Sequence, residues 1–163
     1  MSLWIYGFIF IELIIISIID IQTKKISNFW SLGHVFVAMA LYLISRHYTW
    51  SWPVLIYPIA WLILGFTLFL LGIMGAGDSK LLGSLYLIIP IGFHHLMLEK
   101  LIISTLVVGF MNLTLKIAKD FRTIKAYALS GHWPGLWEKM KSRFSYAPVV
   151  LMAWILMGVQ LWL

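Results

Sequence analysis

Long apolar runs, broken by short polar stretches, set the pattern of this chain. A helix rises 1.5 Å per residue, so about 20 apolar residues cross the hydrocarbon of a bilayer. Six stretches approach that length, at about 2–19, 29–45, 53–73, 81–98, 100–117 and 147–163. The pattern predicts an all-α polytopic membrane protein with about six transmembrane helices, organised as one membrane-embedded domain over 1–163. The fourth span is the least regular: Pro90 and Gly92 interrupt it, and His94, His95 and Glu99 mark its far end. Segment 118–146 breaks the apolar rhythm. Ile117, Phe121, Ile124 and Ala128 recur there at helical spacing, with Lys119, Arg122 and Lys125 between them. That spacing predicts an amphipathic helix on the inner surface, or a continuation of span five. Gly131 is its expected stop. Trp133, Trp137 and Phe144, set among Lys139, Lys141 and Arg143, continue the interfacial character.

Composition supports the membrane reading. Hydrophobic residues make up 62% of the chain and charged residues 11%, whereas a soluble domain is about 25% charged. The absence of cysteine excludes disulfides, thiolate metal ligands and a cysteine nucleophile. Residues Leu3 to Ile19 have no basic segment before them and no small-residue cleavage site after them, so they read as a retained first span.

The net charge of +6 reads as topology and attraction to anionic lipid, with no nucleic-acid partner. If residues 20–28 face the cytoplasm, that side holds Lys24, Lys25, Lys80, Lys116, Lys119, Arg122, Lys125, Lys139, Lys141 and Arg143. The other side holds only Arg46 and Lys100. Positive charge accumulates on the cytoplasmic side, so both termini are expected to be non-cytoplasmic.

Six acidic residues are present. Glu99 beside Lys100 reads as a solvated charge, and Asp120 and Glu138 in the basic segment read as solvated or loosely paired. Glu12 lies mid-span in helix one, eight residues before Asp20 and on roughly the same face; it reads as a protonated group bonded between helices. Asp20 and Asp78 differ from these. Each lies at the cytoplasmic end of a span, directly against apolar sequence, at the same predicted depth and on the same side. An ionisable group at the hydrocarbon edge is costly, which makes both functional candidates. Asp78 lies in Gly75-Ala76-Gly77-Asp78-Ser79-Lys80, where Gly75 and Gly77 allow a close backbone approach or a turn with positive φ. As the expected N-cap of span four, Asp78 should favour its anion. Asp20 sits near a helix C-terminus, which should disfavour its anion. Such a split suits a pair of carboxyls that activates water and protonates an amide product.

These residues resemble the type IV prepilin peptidases, polytopic aspartic proteases of the Gly-x-Gly-Asp class. The similarity rests on Asp20 followed eight residues later by Asn28, and on Gly75-Ala76-Gly77-Asp78-Ser79-Lys80-Leu81. Ser145-Tyr146-Ala147-Pro148, opening the last span, is a weaker third element. Ser27 stands where the family usually has proline. The resemblance implies an aspartic endopeptidase with Asp20 and Asp78 as the catalytic pair, supported by Gly75, Gly77, Lys80 and Asn28. It implies no cofactor or metal, and a prepilin substrate whose basic leader lies in the cytoplasm. Without the cysteine-rich loop, the chain looks like the small members that serve tight-adherence (Flp-type) pili, with no N-methyltransferase activity. Two other readings fit part of the pattern. Presenilin-like proteases also use Gly-x-Gly-Asp, but pair it with Tyr-Asp, where this chain has Ile19-Asp20. A non-catalytic transporter or secretion-complex subunit would bind cations or protons at its helix-end Asp residues, and predicts carboxylates near the bilayer midplane. Lys80 reads equally as a group that acts on the pair and as a snorkelling lysine, Lys24 and Lys25 as topological charges, Asn28 as the cap of span two, and His94-His95 as solvated residues of an outer loop.

Overall fold

A computed structural model describes residues 2–45, 48–72, 74–130 and 145–162, without the side chains of Arg122 and Ala128. The expectations for Arg46, Gly131, Trp133, Trp137, Glu138, Lys139, Lys141, Arg143 and Phe144 lie outside these residues. Within them the chain is helical and has no strand. The helices are α1 (Leu3–Thr23), α2 (Asn28–Ile44), α3 (Ile56–Leu70), α4 (Ala76–Ile88), α5 (His94–Leu129) and α6 (Ala147–Trp162). A 3-10 turn at Trp52–Leu55 leads into α3, and another at Ile91–Phe93 leads into α5.

Three stretches are long and apolar enough to cross a bilayer: Leu3–Thr23, Trp52–Leu70 and Ile91–Phe121. The helices α2 and α6 are apolar but shorter. Large side chains such as Phe8, Phe36, Ile63, Phe66 and Phe110 are exposed on the outside of the bundle. Water would penalise that surface, whereas acyl chains solvate it.

The predicted fourth and fifth spans do not form as expected. Instead of running from 81 to 98, α4 starts earlier and stops at Ile88. Proline pushes the preceding residue out of the helical region, and Ile89 is extended at φ −74°, ψ 127°. The carbonyls stranded at this end find donors: the Tyr48 hydroxyl reaches Ile88 O at 3.0 Å, and His94 Nε2 reaches Ile89 O at 2.8 Å. His94 is therefore fully buried, between the rings of Tyr57 and Tyr86, and not solvated as expected; His95 is exposed. His94, His95 and Glu99 open α5 instead of closing span four. In turn, α5 continues past the predicted end at 117 as far as Leu129, bending at Asp120 (φ −103°, ψ 15°). Residues 121–129 thus extend α5 beyond that bend.

The central element is α4. At thirteen residues it spans only about 20 Å, less than the hydrocarbon thickness of about 30 Å. Nine of its thirteen residues are buried, including Asp78, Ser79 and Ser84. The tightest packing falls into two sets: α4 between α2 and α3, and α6 between α1 and α5. Ile9 and Leu13 of α1, Trp61 of α3, Leu85 of α4, Leu101 of α5 and Trp154 of α6 join both sets in one apolar core. Two glycines set the close approaches. A Cβ on Gly65 would overlap Ser79 across α3 and α4, and one on Gly158 would overlap the ring of Tyr6 across α6 and α1. Gly65→Leu is expected to cost about 1–3 kcal/mol through overpacking. Gly7→Ala, where a methyl meets open space, is expected to gain about 0.5–1 kcal/mol from helix propensity. Thermal unfolding in detergent micelles checks both, and equal melting temperatures would reject the packing argument.

Candidate active site

Asp20 sits in the last turn of α1, which runs four residues beyond its predicted end. The helix stops where Lys24 turns left-handed (φ 51°) and donates its N–H to Asp20 O at 2.8 Å. The Asp20 carboxylate meets the start of α6: Oδ2 accepts the Ala147 N–H at 3.2 Å, and the Ser145 hydroxyl donates to Asp20 O at 3.3 Å. A contact across 127 residues thus places this carboxylate at the positive end of a helix.

Asp78 is not the N-cap expected from the sequence. Gly75 holds that position in extended conformation (φ −78°, ψ 147°), and Asp78 lies three residues into the first turn of α4. Its Oδ2 accepts the Gly75 N–H at 2.9 Å, and its own N–H donates to Gly75 O at 3.1 Å. Oδ1 is buried, with no hydrogen-bond partner among the described residues.

The two carboxylates are 3% and 6% exposed, and both line one cavity of about 290 Å³ with Lys24, Lys25, Ile26, Phe69, Met74, Gly75 and Gly77. Asp78 precedes the apolar run that starts at Leu81. Burial pushes its carboxyl up to about 7; the Gly75 N–H opposes that rise and the neighbouring Asp20 charge adds to it. Burial also pushes the Asp20 carboxyl up, opposed by the Ala147 and Tyr146 N–H groups. Burial thus raises both carboxyls, and both lie at helix N-termini, Asp78 in the first turn of its own helix and Asp20 against the start of α6. The expected split, with Asp78 favoured as the anion, therefore does not follow from the structure.

The supporting residues take the following places. A Cβ on Gly77 would lie 2.9 Å from Ile26 O, and one on Gly75 would lie 2.9 Å from Asp78 Oδ2. Neither glycine has positive φ; that conformation occurs at Gly72 (φ 70°). Of the two roles expected for the pair, close approach is the one observed. Ser27 caps α2, accepting the Phe29 N–H at 3.3 Å. Asn28, expected as the cap, is instead the first helical residue and accepts from Lys80 Nζ at 3.2 Å. Lys80 and Asn28 thereby tie α4 to α2 across 52 residues. Lys24 and Lys25 border the carboxylate cavity. Among the described residues, no three His, Cys, Asp or Glu side chains come together as a metal site.

A second polar cluster lies deeper in the bundle. Glu12 Oε2 is 3.1 Å from His34 Nε2, His34 Nδ1 is 3.1 Å from Ser84 Oγ, and that hydroxyl donates to Leu81 O at 3.0 Å. The three side chains join α1, α2 and α4. Glu12 thus faces an interhelical neighbour at ion-pair distance, but without the hydrogen bond expected of it: neither Glu12 Oε2 nor His34 Nε2 makes one among the described residues. His34 and Ser84 gave no sequence signal, because a lone polar residue in an apolar run shows nothing of what it faces.

The family model of the type IV leader peptidases matches residues 7–117. No curated protein and no solved structure matches the chain. The matched stretch contains Asp20, Asn28 and Gly75 to Leu81, and ends before the Ser145-Tyr146-Ala147 segment that holds Asp20.

Glu12→Leu takes from the buried His34 nitrogen the carboxyl it faces at 3.1 Å and is expected to cost about 1–3 kcal/mol. The double variant Glu12→Leu/His34→Phe removes both partners and should cost less than the sum of the single changes. Urea unfolding of the four-member cycle checks this, and strict additivity would reject the pairing.

Proposed function

Because the chain belongs to the type IV leader peptidase family, we propose that it is a membrane aspartic endopeptidase in which Asp20 and Asp78 share one water-activating site. The chain is an integral membrane protein and a protease by family; the roles of its residues are the proposal. The observation that carries it is the single cavity lined by both carboxylates, with Asp78 Oδ1 buried and unpartnered beside it. An oxygen in that state is ready to bond a water or a substrate carbonyl.

Asp20, with the Ala147 N–H on Oδ2, is the base and takes a proton from water. The resulting hydroxide oxygen bonds to the scissile carbonyl carbon, while protonated Asp78 gives its proton to the carbonyl oxygen. The proton held on Asp20 then passes to the amide nitrogen. The C–N bond breaks, and the carbonyl re-forms as a carboxyl while its proton returns to Asp78. Both groups end as they began. Lys24 and Lys25 border the cavity, and their charge favours the single anion that the cycle needs.

The proposed substrate is a prepilin of the type IV or Flp class. Its basic leader lies in the cytoplasm and its apolar helix lies in the bilayer. The charge distribution supports a cytoplasmic position for the carboxylate end of the bundle, and hence a multi-pass protein of a bacterial cytoplasmic membrane. N-methyltransferase activity is not expected.

Cleavage of a purified prepilin in proteoliposomes tests the reading. Asp20→Asn and Asp78→Asn are each expected to lower kcat by about 10²–10⁴, and full turnover by either would remove the pair from the mechanism. The pH profile tests the division of labour. Asp78 acts as an acid, so the rate should fall as pH rises through its raised pKa of about 7. Asp20 acts as the base with its carboxyl also pushed up by burial, so the rate should fall again as pH drops and Asp20 is protonated. An alkaline limb that begins well below neutrality would reject this assignment.

A further inference from the structure

The geometry points to the cleft between α3 and α5 as the docking site for the apolar helix of the substrate, an inference that rests on the peptidase reading. The cleft holds about 420 Å³. Trp61, Leu64 and Leu68 of α3 form one wall, and Leu101, Leu106 and Gly109 of α5 form the other. The seven steps from Trp61 to Leu68 rise about 10 Å, enough to seat two turns of an incoming helix.

Two residues connect this cleft to the carboxylates. Met74 lines both the cleft and the carboxylate cavity. Tyr146 lines the cleft and directly precedes Ala147, whose N–H holds Asp20. The end of the cleft is thus bordered by the two segments that carry and hold the carboxylates. A helix seated in it delivers its N-terminal end to Asp20 and Asp78, which suits a substrate cut just ahead of an apolar run. The polar groups in the cleft walls are already bonded: the Thr105 hydroxyl donates to Leu101 O at 2.7 Å and meets the Tyr146 hydroxyl at 2.9 Å. An apolar occupant therefore leaves none of these groups stranded.

The other lateral cleft, between α1 and α2, holds about 270 Å³ and is lined by Phe8, Ile11, Phe29, Trp30 and Glu12 among others. It shares no lining residue with the carboxylate cavity. It also places a carboxylate in its wall, which an apolar helix meets at a cost.

The chain has no cysteine, so single cysteines report position without background. Leu106 and Ile11 are 68% and 61% exposed, one in each cleft. The probe is a purified prepilin with one cysteine about a turn beyond its scissile bond, co-reconstituted in liposomes with Leu106→Cys or Ile11→Cys and oxidised. A disulfide is expected with Leu106→Cys and not with Ile11→Cys; the reverse result, or none with Leu106→Cys, overturns the docking site. A second measurement uses Gly109 and Gly33, where an added Cβ meets open space in each cleft. Gly109→Trp fills the α3/α5 cleft. It should lower cleavage of the embedded prepilin, relative to a short soluble peptide spanning the scissile bond, by about tenfold, the equivalent of a typical overpacking penalty. Gly33→Trp should leave that ratio unchanged. An unchanged ratio for Gly109→Trp, with wild type cleaving both substrates, overturns the docking site alone. Wild type cleaving neither overturns the peptidase reading and the docking site with it.

Discussion

Polar groups within a bilayer must find their partners inside the protein, and α4 is the element on which this constraint falls hardest. It is too short to cross the hydrocarbon alone, and it carries a carboxylate and two serines. In lipid such a helix would be unstable. Sheathed by its neighbours, with its final carbonyls bonded by Tyr48 and His94, it becomes the centre of the bundle. The rest of the architecture follows from that sheath. Gly65 lets α3 lie directly on α4, and Gly77 lets the N-terminal turn of α4 press on the Ile26 backbone.

The same constraint shapes the carboxylate pair. Asp20 belongs to the set formed by α1, α6 and α5, and Asp78 to the set formed by α2, α4 and α3. The pair therefore exists only where the two sets meet. Glu12, His34 and Ser84 cross that boundary at a second level. Two helical turns, about 12 Å, separate Glu12 from Asp20 along α1. Polar contacts at that level link α1 to α2 and α2 to α4. The two lateral clefts also lie between the sets, one at each side, where helices of different sets diverge.

The sequence showed the helical class, the apolar runs and the two motif aspartates, because each is a local signal. It misplaced the break near span four. Pro90 marked the interruption, yet the run of apolar residues on both sides hid that α4 ends there and α5 begins. The N-terminus of α4 was read one turn too late for the same reason: Gly75 caps through its backbone, which leaves no polar cap residue to recognise. Ser27, noted only as a departure from the family pattern, turned out to cap α2 and freed Asn28 to meet Lys80.

By itself the sequence determined what is written in short windows of residue chemistry: membrane-grade helices, a glycine-flanked aspartate, a second aspartate at the end of a span, and the family they resemble. Only the tertiary structure decided that both aspartates are buried, and that Asp20, at the C-terminal end of its own helix, also faces the N-terminus of α6. That outcome depends on Ala147, 127 residues from Asp20, and on the sheath around α4. By its own helix alone, Asp20 lies at a C-terminus and Asp78 at an N-terminus. The field and the solvent at each group are set by helices that arrive from elsewhere in the chain, and no local pattern records their arrival.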